Sequence, residues 1–167
     1  MNVVYLNPFL DAAHEVLKVE VQATAERGNL SVQKSALTAE EITVLISMIG
    51  DIQGVVLYGM SIKTGLEMVS RMMGQTCTEF DNLAQSGIAE LGNVISGRAS
   101  INLSNAGIQT NISPPTMLIG KGLQISTLDF PRIVVPLRTE MGEMTVHLAL
   151  REVQPSSQAH LASNSIS

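Results

Sequence analysis

The chain has 167 residues, a formal net charge of −5, 45% hydrophobic residues, 3% aromatics and no tryptophan. One domain with a core of Leu, Ile, Val, Met and Ala is expected from that length and composition. The acidic balance speaks against sequence-independent nucleic-acid binding, and the few aromatics against base stacking. One cysteine, Cys77, excludes an intrachain disulfide and points to a reducing compartment. No secretory signal and no membrane span are read from the sequence, so a cytoplasmic location is expected.

Asn7-Pro8 has the form of a helix start, with Asn as cap and Pro at the first helical position. Phe9, Ala12, Ala13, Val16, Leu17 and Val21 then recur at helical spacing, which predicts an amphipathic helix from Phe9 to Arg27. Gly28-Asn29 stops it, and Leu30 to Ser35 is a short strand candidate. Thr43–Gly50 and Val55–Met60 are β-rich runs around a turn at Asp51 to Gly54, a predicted hairpin. Ser61 is placed to cap a helix through Met68, Val69 and Met72 to Gly74, whose methionines read as core filler. Thr78 is taken as the cap of the next helix, which runs through Phe80, Leu83, Ile88, Leu91 and Ile95 towards Leu103 and ends at Gly107.

Gln109 to Ile112 and Met117 to Gly120 are brief extended segments on either side of Ser113-Pro114-Pro115. Arg132–Arg138 and Met144–Leu150 form a second predicted hairpin. Pro136 suggests an edge or a bulge, and His147 is assigned to the polar face of its strand. From Gln154 the composition turns Ser-rich, so 1–153 is expected to be the domain and 154–167 a disordered tail. The order of elements predicts an α+β fold, an antiparallel sheet with long helices packed on one face.

The most informative stretch lies within the third helix, Gly87-Ile88-Ala89-Glu90-Leu91-Gly92-Asn93-Val94-Ile95-Ser96-Gly97-Arg98-Ala99. At about 100° per residue, Ile88, Leu91, Ile95, Ala99 and Asn102 share one side, while Glu90 and Asn93 project from the other. Residues three apart on a helix are neighbours. A carboxylate can pair with a partner's cation, and an amide can donate to and accept from a water. Such a pair can enter another protein's active site and hold a nucleophilic water there. The bare spacing is not specific: 11 Glu and 9 Asn in 167 residues yield roughly 0.6 chance matches. Another match, Glu79-Phe80-Asp81-Asn82, is read as one of these. Gly87, Gly92 and Gly97 weaken the helix, which suggests close approach of a neighbouring element or of a docking partner.

Other chemistry is missing from the sequence. There is no Walker loop, no complete dinucleotide fingerprint and no Gly-x-Ser-x-Gly elbow. Ser31-Val32-Gln33-Lys34 falls in a predicted strand, where Ser and Lys point to opposite faces. His14, His147 and His160 are isolated from one another, and no metal motif is read. A self-contained active site is not expected; a site completed on a partner is.

Ala89-Glu90-Leu91-Gly92-Asn93-Val94-Ile95-Ser96-Gly97, with Asn111-Ile112-Ser113-Pro114-Pro115 and Gly120, resembles the CheC/CheX family of chemotaxis phosphatases over roughly residues 8 to 152. One Glu-x-x-Asn in the family's context places it nearer the CheX branch. The resemblance implies hydrolysis of the aspartyl phosphate of a phosphorylated response regulator, a CheY-like receiver domain. It implies that Glu90 pairs with a lysine of the regulator and that Asn93 orients the attacking water. It further implies Mg²⁺ held by the regulator, no cofactor of the chain's own, and a homodimer joined through its sheets. The alternatives are a non-catalytic binding module of the same fold and a dimeric adaptor in a signalling pathway.

Overall fold

The computed structural model describes residues 3–34, 36–127 and 131–153. The expected tail, 154–167, lies outside them.

The first helix, α1, spans Leu6–Val21 behind a 3-10 turn at Val3–Tyr5. Asn7 is not its cap: the helix begins one residue earlier, with Leu6 pulled into the core. Pro8 is accommodated in the first turn, where N–H groups lack helical partners anyway. The helix also ends short of Arg27. Gln22 turns left-handed with φ 51°, and Ala23 N–H returns to Leu17 O at 3.1 Å. The next residues are drawn into the sheet instead, as β1 (Glu26–Arg27) and β2 (Ser31–Gln33), so long-range pairing overrides local helical preference. The apolar positions read from the sequence, Phe9, Ala12, Ala13, Val16, Leu17 and Val21, are all buried.

A short β3 (Leu37–Thr38) precedes the long hairpin of β4 (Ile42–Gly50) and β5 (Ile52–Met60). The turn is tighter than expected. Ile52 is buried and joins the ladder opposite Glu152, which leaves Asp51 alone between the strands. Helix α2 (Ile62–Met73) is capped as expected: Ser61 Oγ accepts from Thr64 N–H at 3.1 Å. Helix α3 (Asn82–Asn105) follows, then β6 (Thr110–Ile112), β7 (Thr116–Ile119) and β8 (Gln124–Ile125). The last of the described elements are the second hairpin, β9 (Arg132–Thr139) and β10 (Gly142–Glu152).

The main sheet is ordered β1-β9-β10-β5-β4-β6, with β2 also on β9 and β7 also on β4, and every pairing is antiparallel. β3 and β8 form a separate two-stranded pair. The class is α+β, with the helices on one face, as expected. Side chains alternate across a strand. Val44, Ile46 and Met48, Val56, Tyr58 and Met60, and Met144, Val146 and Leu148 therefore meet the apolar stripes of the helices in one core. Met68 lies within that core, and Met72, Met73 and Cys77 pack against it.

Pro136 sits at an interruption in the pairing, as its chemistry requires. β1 pairs with Leu137 and Arg138, and β2 with Arg132 to Val134. Between them Pro136 O accepts from Gly28 N–H at 2.8 Å. A missing N–H is tolerated where the neighbouring chain bulges.

His147 is corrected. It does lie on the sheet face away from the helices, but that face is closed over it, and His147 is only 5% exposed. Leu57, Val134 and Ala149 on the same face are buried too. Glu40, just after β3, lies over Gly59 and accepts from Thr145 Oγ1 at 3.2 Å. Burial, and after it the positive charge of Arg132, push the His147 imidazole down to about 4. It is a neutral, enclosed histidine.

Candidate functional site

Helix α3 carries Glu90 and Asn93, and its placement fixes theirs. Asp81, not Thr78, is its cap, and its carboxylate accepts from Ala84 N–H at 2.9 Å. Asp is the stronger capping residue, and its negative charge also suits a helix N-terminus. Glu79 therefore precedes the helix while Asn82 begins it, so Glu79 and Asn82 make no helical pair. At the far end the chain turns through Gly107, at φ 86°.

Six ties hold α3 in place. Ile88, Leu91, Ile95, Ala99 and Leu103 are buried in the core. Gly92 lies directly on the sheet: a Cβ there would come within 2.9 Å of Val44 Cγ1 and 3.3 Å of Tyr58 Cδ2. One turn on, Ser96 Oγ and Tyr58 OH share a fully buried hydrogen bond of 2.7 Å. On the flanks, Asn102 Nδ2 donates to Pro8 O at 3.0 Å, and Arg98 makes two bonds to Glu15, at 2.9 and 3.2 Å. Asn102 thus uses its place beside the apolar stripe to join α3 to α1. Towards β6, Ser100 Oγ bonds Thr110 Oγ1 at 2.7 Å.

Glu90 is exposed and Asn93 half-buried, both on the side turned away from the sheet. Among the described residues neither side chain makes a hydrogen bond or an ion pair. The helix is clamped while the acid and amide are left with open valences. The structure brings the two together as the spacing predicts. It also places Asn111–Pro115 and Gly120 beside β4: Ser113 N–H donates to Ser47 O at 2.9 Å, Ser47 N–H donates to Ser113 Oγ at 2.9 Å, and Gly120 N–H donates to Glu41 O at 3.0 Å.

The Tyr58–Ser96 bond was not legible in the sequence, since nothing in either residue's neighbourhood marks it as one of a pair. Among the described residues no group of three or more His, Cys, Asp or Glu could hold a metal ion, and no helix is long and apolar enough to cross a membrane. What remains chemically available is a rigid helix that presents one carboxylate and one amide to an incoming molecule.

Comparison with known proteins gives the class to which the chain belongs. The family described as chemotaxis phosphatase CheX matches residues 42–138, and the chain belongs to that family. A CheY-P phosphatase CheX from Thermotoga maritima is 29% identical over 123 residues, covering 73% of this chain and 79% of that protein. A CheC-like superfamily protein from Shewanella sp. PV-4 superposes with a TM-score of 0.82 at 26% identity, over 90% of this chain and 99% of that one. The CheX of a CheX–CheY–BeF3–Mg²⁺ complex from Borrelia burgdorferi superposes with a TM-score of 0.75 at 26% identity, over 90% of this chain and all of that one.

Proposed function

We propose that this protein hydrolyses the aspartyl phosphate of a phosphorylated response-regulator receiver domain of the CheY type. One observation carries the reading: Glu90 and Asn93 are held outward, three residues apart, by a helix tied to Tyr58 and to α1 through Ser96 and Asn102. The carboxylate of Glu90 pairs with a lysine at the regulator's active site and seats α3 there. The Asn93 amide accepts from and donates to a water lying in line with the phosphorus. Attack by that water breaks the bond between phosphorus and the aspartate oxygen, releasing inorganic phosphate and the free carboxylate. Most catalysis of phosphoryl transfer is positioning and charge stabilisation, and a clamped helix supplies the first. The Mg²⁺ that stabilises charge belongs to the regulator in this scheme, as the composition of the Borrelia burgdorferi complex supports. A cytoplasmic homodimer completes the proposal. Support for pairing through the sheets comes from the half-buried Leu45, Ser47 and Val55 on the face opposite the helices. Sedimentation velocity tests it, and a monomer at all concentrations would refute it.

The test of the activity is the decay of a phosphorylated receiver from the same organism, with wild type, Asn93→Ala and Glu90→Ala. Asn93→Ala is expected to lower the stimulated rate about 10²-fold or more, the scale of losing one stabilising group. Glu90→Ala is expected to act chiefly on the concentration needed for half the effect. Binding without acceleration, for every receiver of that organism, would replace the reading with a non-catalytic module.

A further inference from the structure

Gly92 and Gly97 have different reasons to be glycine. Packing on Val44 and Tyr58 accounts for Gly92. A Cβ on Gly97 would meet only Ile112 Cδ1, at 3.9 Å, an ordinary contact. Its backbone is helical and its φ is not positive. A glycine inside a helix weakens it relative to alanine, so neither the interior nor the backbone explains this one. Its position does suit an approach from outside. Gly97 lies one turn beyond Asn93 on the exposed side of α3.

That side is distinctive along its length. Leu83, Glu90, Gly97 and Ile101 fall within an arc of about 40°. Leu83 and Ile101 are 58% and 53% exposed, and at 1.5 Å per residue they stand about 27 Å apart with the acid and amide between them. Isolated exposed apolar residues are ordinary; two aligned with the open acid–amide pair form a surface. Glu90 is its one charged side chain, because Arg98 lies off the arc and is held by Glu15. The surface thus asks for a partner with one cation opposite Glu90 and apolar ground on either side.

We propose that Gly97 lets the receiver's backbone close on α3 so that Asn93 reaches the phosphoryl group, and that Leu83 and Ile101 set the register of that contact. Leu83 and Ile101 grip the partner at the two ends. The inference rests on the phosphatase reading above and names the surface that reading needs.

Receiver domains of the source organism, phosphorylated with acetyl phosphate and Mg²⁺, are the probes. Dephosphorylation is measured against receiver concentration for wild type, Gly97→Ala, Leu83→Ser and Asn93→Ala, with a thermal midpoint for each. Gly97→Ala is expected to keep or raise the midpoint while kcat/KM falls tenfold or more. Leu83→Ser is expected to raise KM at least fivefold with kcat within twofold of wild type, whereas Asn93→Ala loses kcat. Gly97→Ala at wild-type kcat/KM overturns the inference and leaves the phosphatase reading standing. If Gly97→Ala lowers the midpoint, Leu83→Ser decides, and an unchanged KM overturns the inference. A wild type that neither binds nor dephosphorylates any receiver overturns both.

Discussion

The hydroxyls of Tyr58 and Ser96 form a closed pair, so removing one strands the other. Their oxygens are 2.7 Å apart and both residues are buried. Burial also pushes the Tyr58 phenol above its ordinary range, so it is neutral at working pH. A buried hydroxyl left without a partner costs about 1–3 kcal/mol, whereas losing both partners together can be nearly neutral. In Tyr58→Phe, Ser96 can turn back to the carbonyl four residues before it, at Gly92, a fallback open to helical serines. That variant is expected near the low end, about 1 kcal/mol. In Ser96→Ala the Tyr58 phenol has no such fallback, and about 2 kcal/mol is expected by the same rule. The double variant should fall short of the sum, with a coupling of about 1 kcal/mol. In a domain of this size about 1 kcal/mol moves the thermal midpoint by about 2–4 °C. Unfolding curves for the four proteins measure the cycle. Additivity within about 0.3 kcal/mol would show that the two oxygens do not depend on each other, and the clamp on α3 would have to lie elsewhere.

Burial holds His147 at about 4, below the ordinary 6.5. Between those values the unfolded chain takes up a proton that the folded chain refuses, so stability falls as pH drops through that interval, by up to about 3 kcal/mol. Burial raises the Glu40 carboxyl, which works the opposite way. Urea midpoints from pH 7 to pH 4 for wild type and His147→Phe check the larger effect, and parallel curves would refute it. Asp81→Ala removes the α3 cap and is expected to lower stability by about 1 kcal/mol, read from the same urea curves. Arg98→Ala breaks a pair whose side chains are 44% and 51% exposed, so less than about 1 kcal/mol is expected, shrinking further in salt. A larger loss would show that the Arg98 stem packs more than its exposure indicates.

Periodicity carried the sequence reading furthest where one face of an element is buried. The stripes of α1 and α3 were legible for that reason, and so was the outward projection of Glu90 and Asn93. β10 shows where the signal fails. Its alternation of Thr145, His147 and Ala149 with larger apolar residues implied a wet face, yet both faces are covered. At Thr145 the cover includes Glu40, which comes from elsewhere in the chain and leaves no local trace. The end of α1 was missed for a related reason: Glu26 and Arg27 suit a helix but are claimed by β9. Caps were read unevenly: Ser61 is the cap of α2, but Asn7 is not that of α1, and Asp81 rather than Thr78 caps α3. Glycines told least by themselves. Only the packing separates Gly92, which the sheet requires, from Gly97, which it does not.

The sheet order carries a consequence for how the protein is made. β10 sits between β5 and β9 although it is the last strand in chain order among the described residues. As the chain leaves the ribosome, α3 is complete while the sheet beneath it lacks its middle. β1 and β2 wait for β9, and β9 can join β5 only through β10. Pairings so distant in sequence slow folding, and the waiting chain exposes apolar surface that favours aggregation. Until the strand arrives, the edge of β5, which carries Val56 and Tyr58 of the core, has no partner on that side. A stalled or clipped chain that lacks residues 142–152 would therefore hold the whole acid–amide motif over a sheet split between β5 and β9, so the support of the motif is complete only after nearly all the described domain has been built.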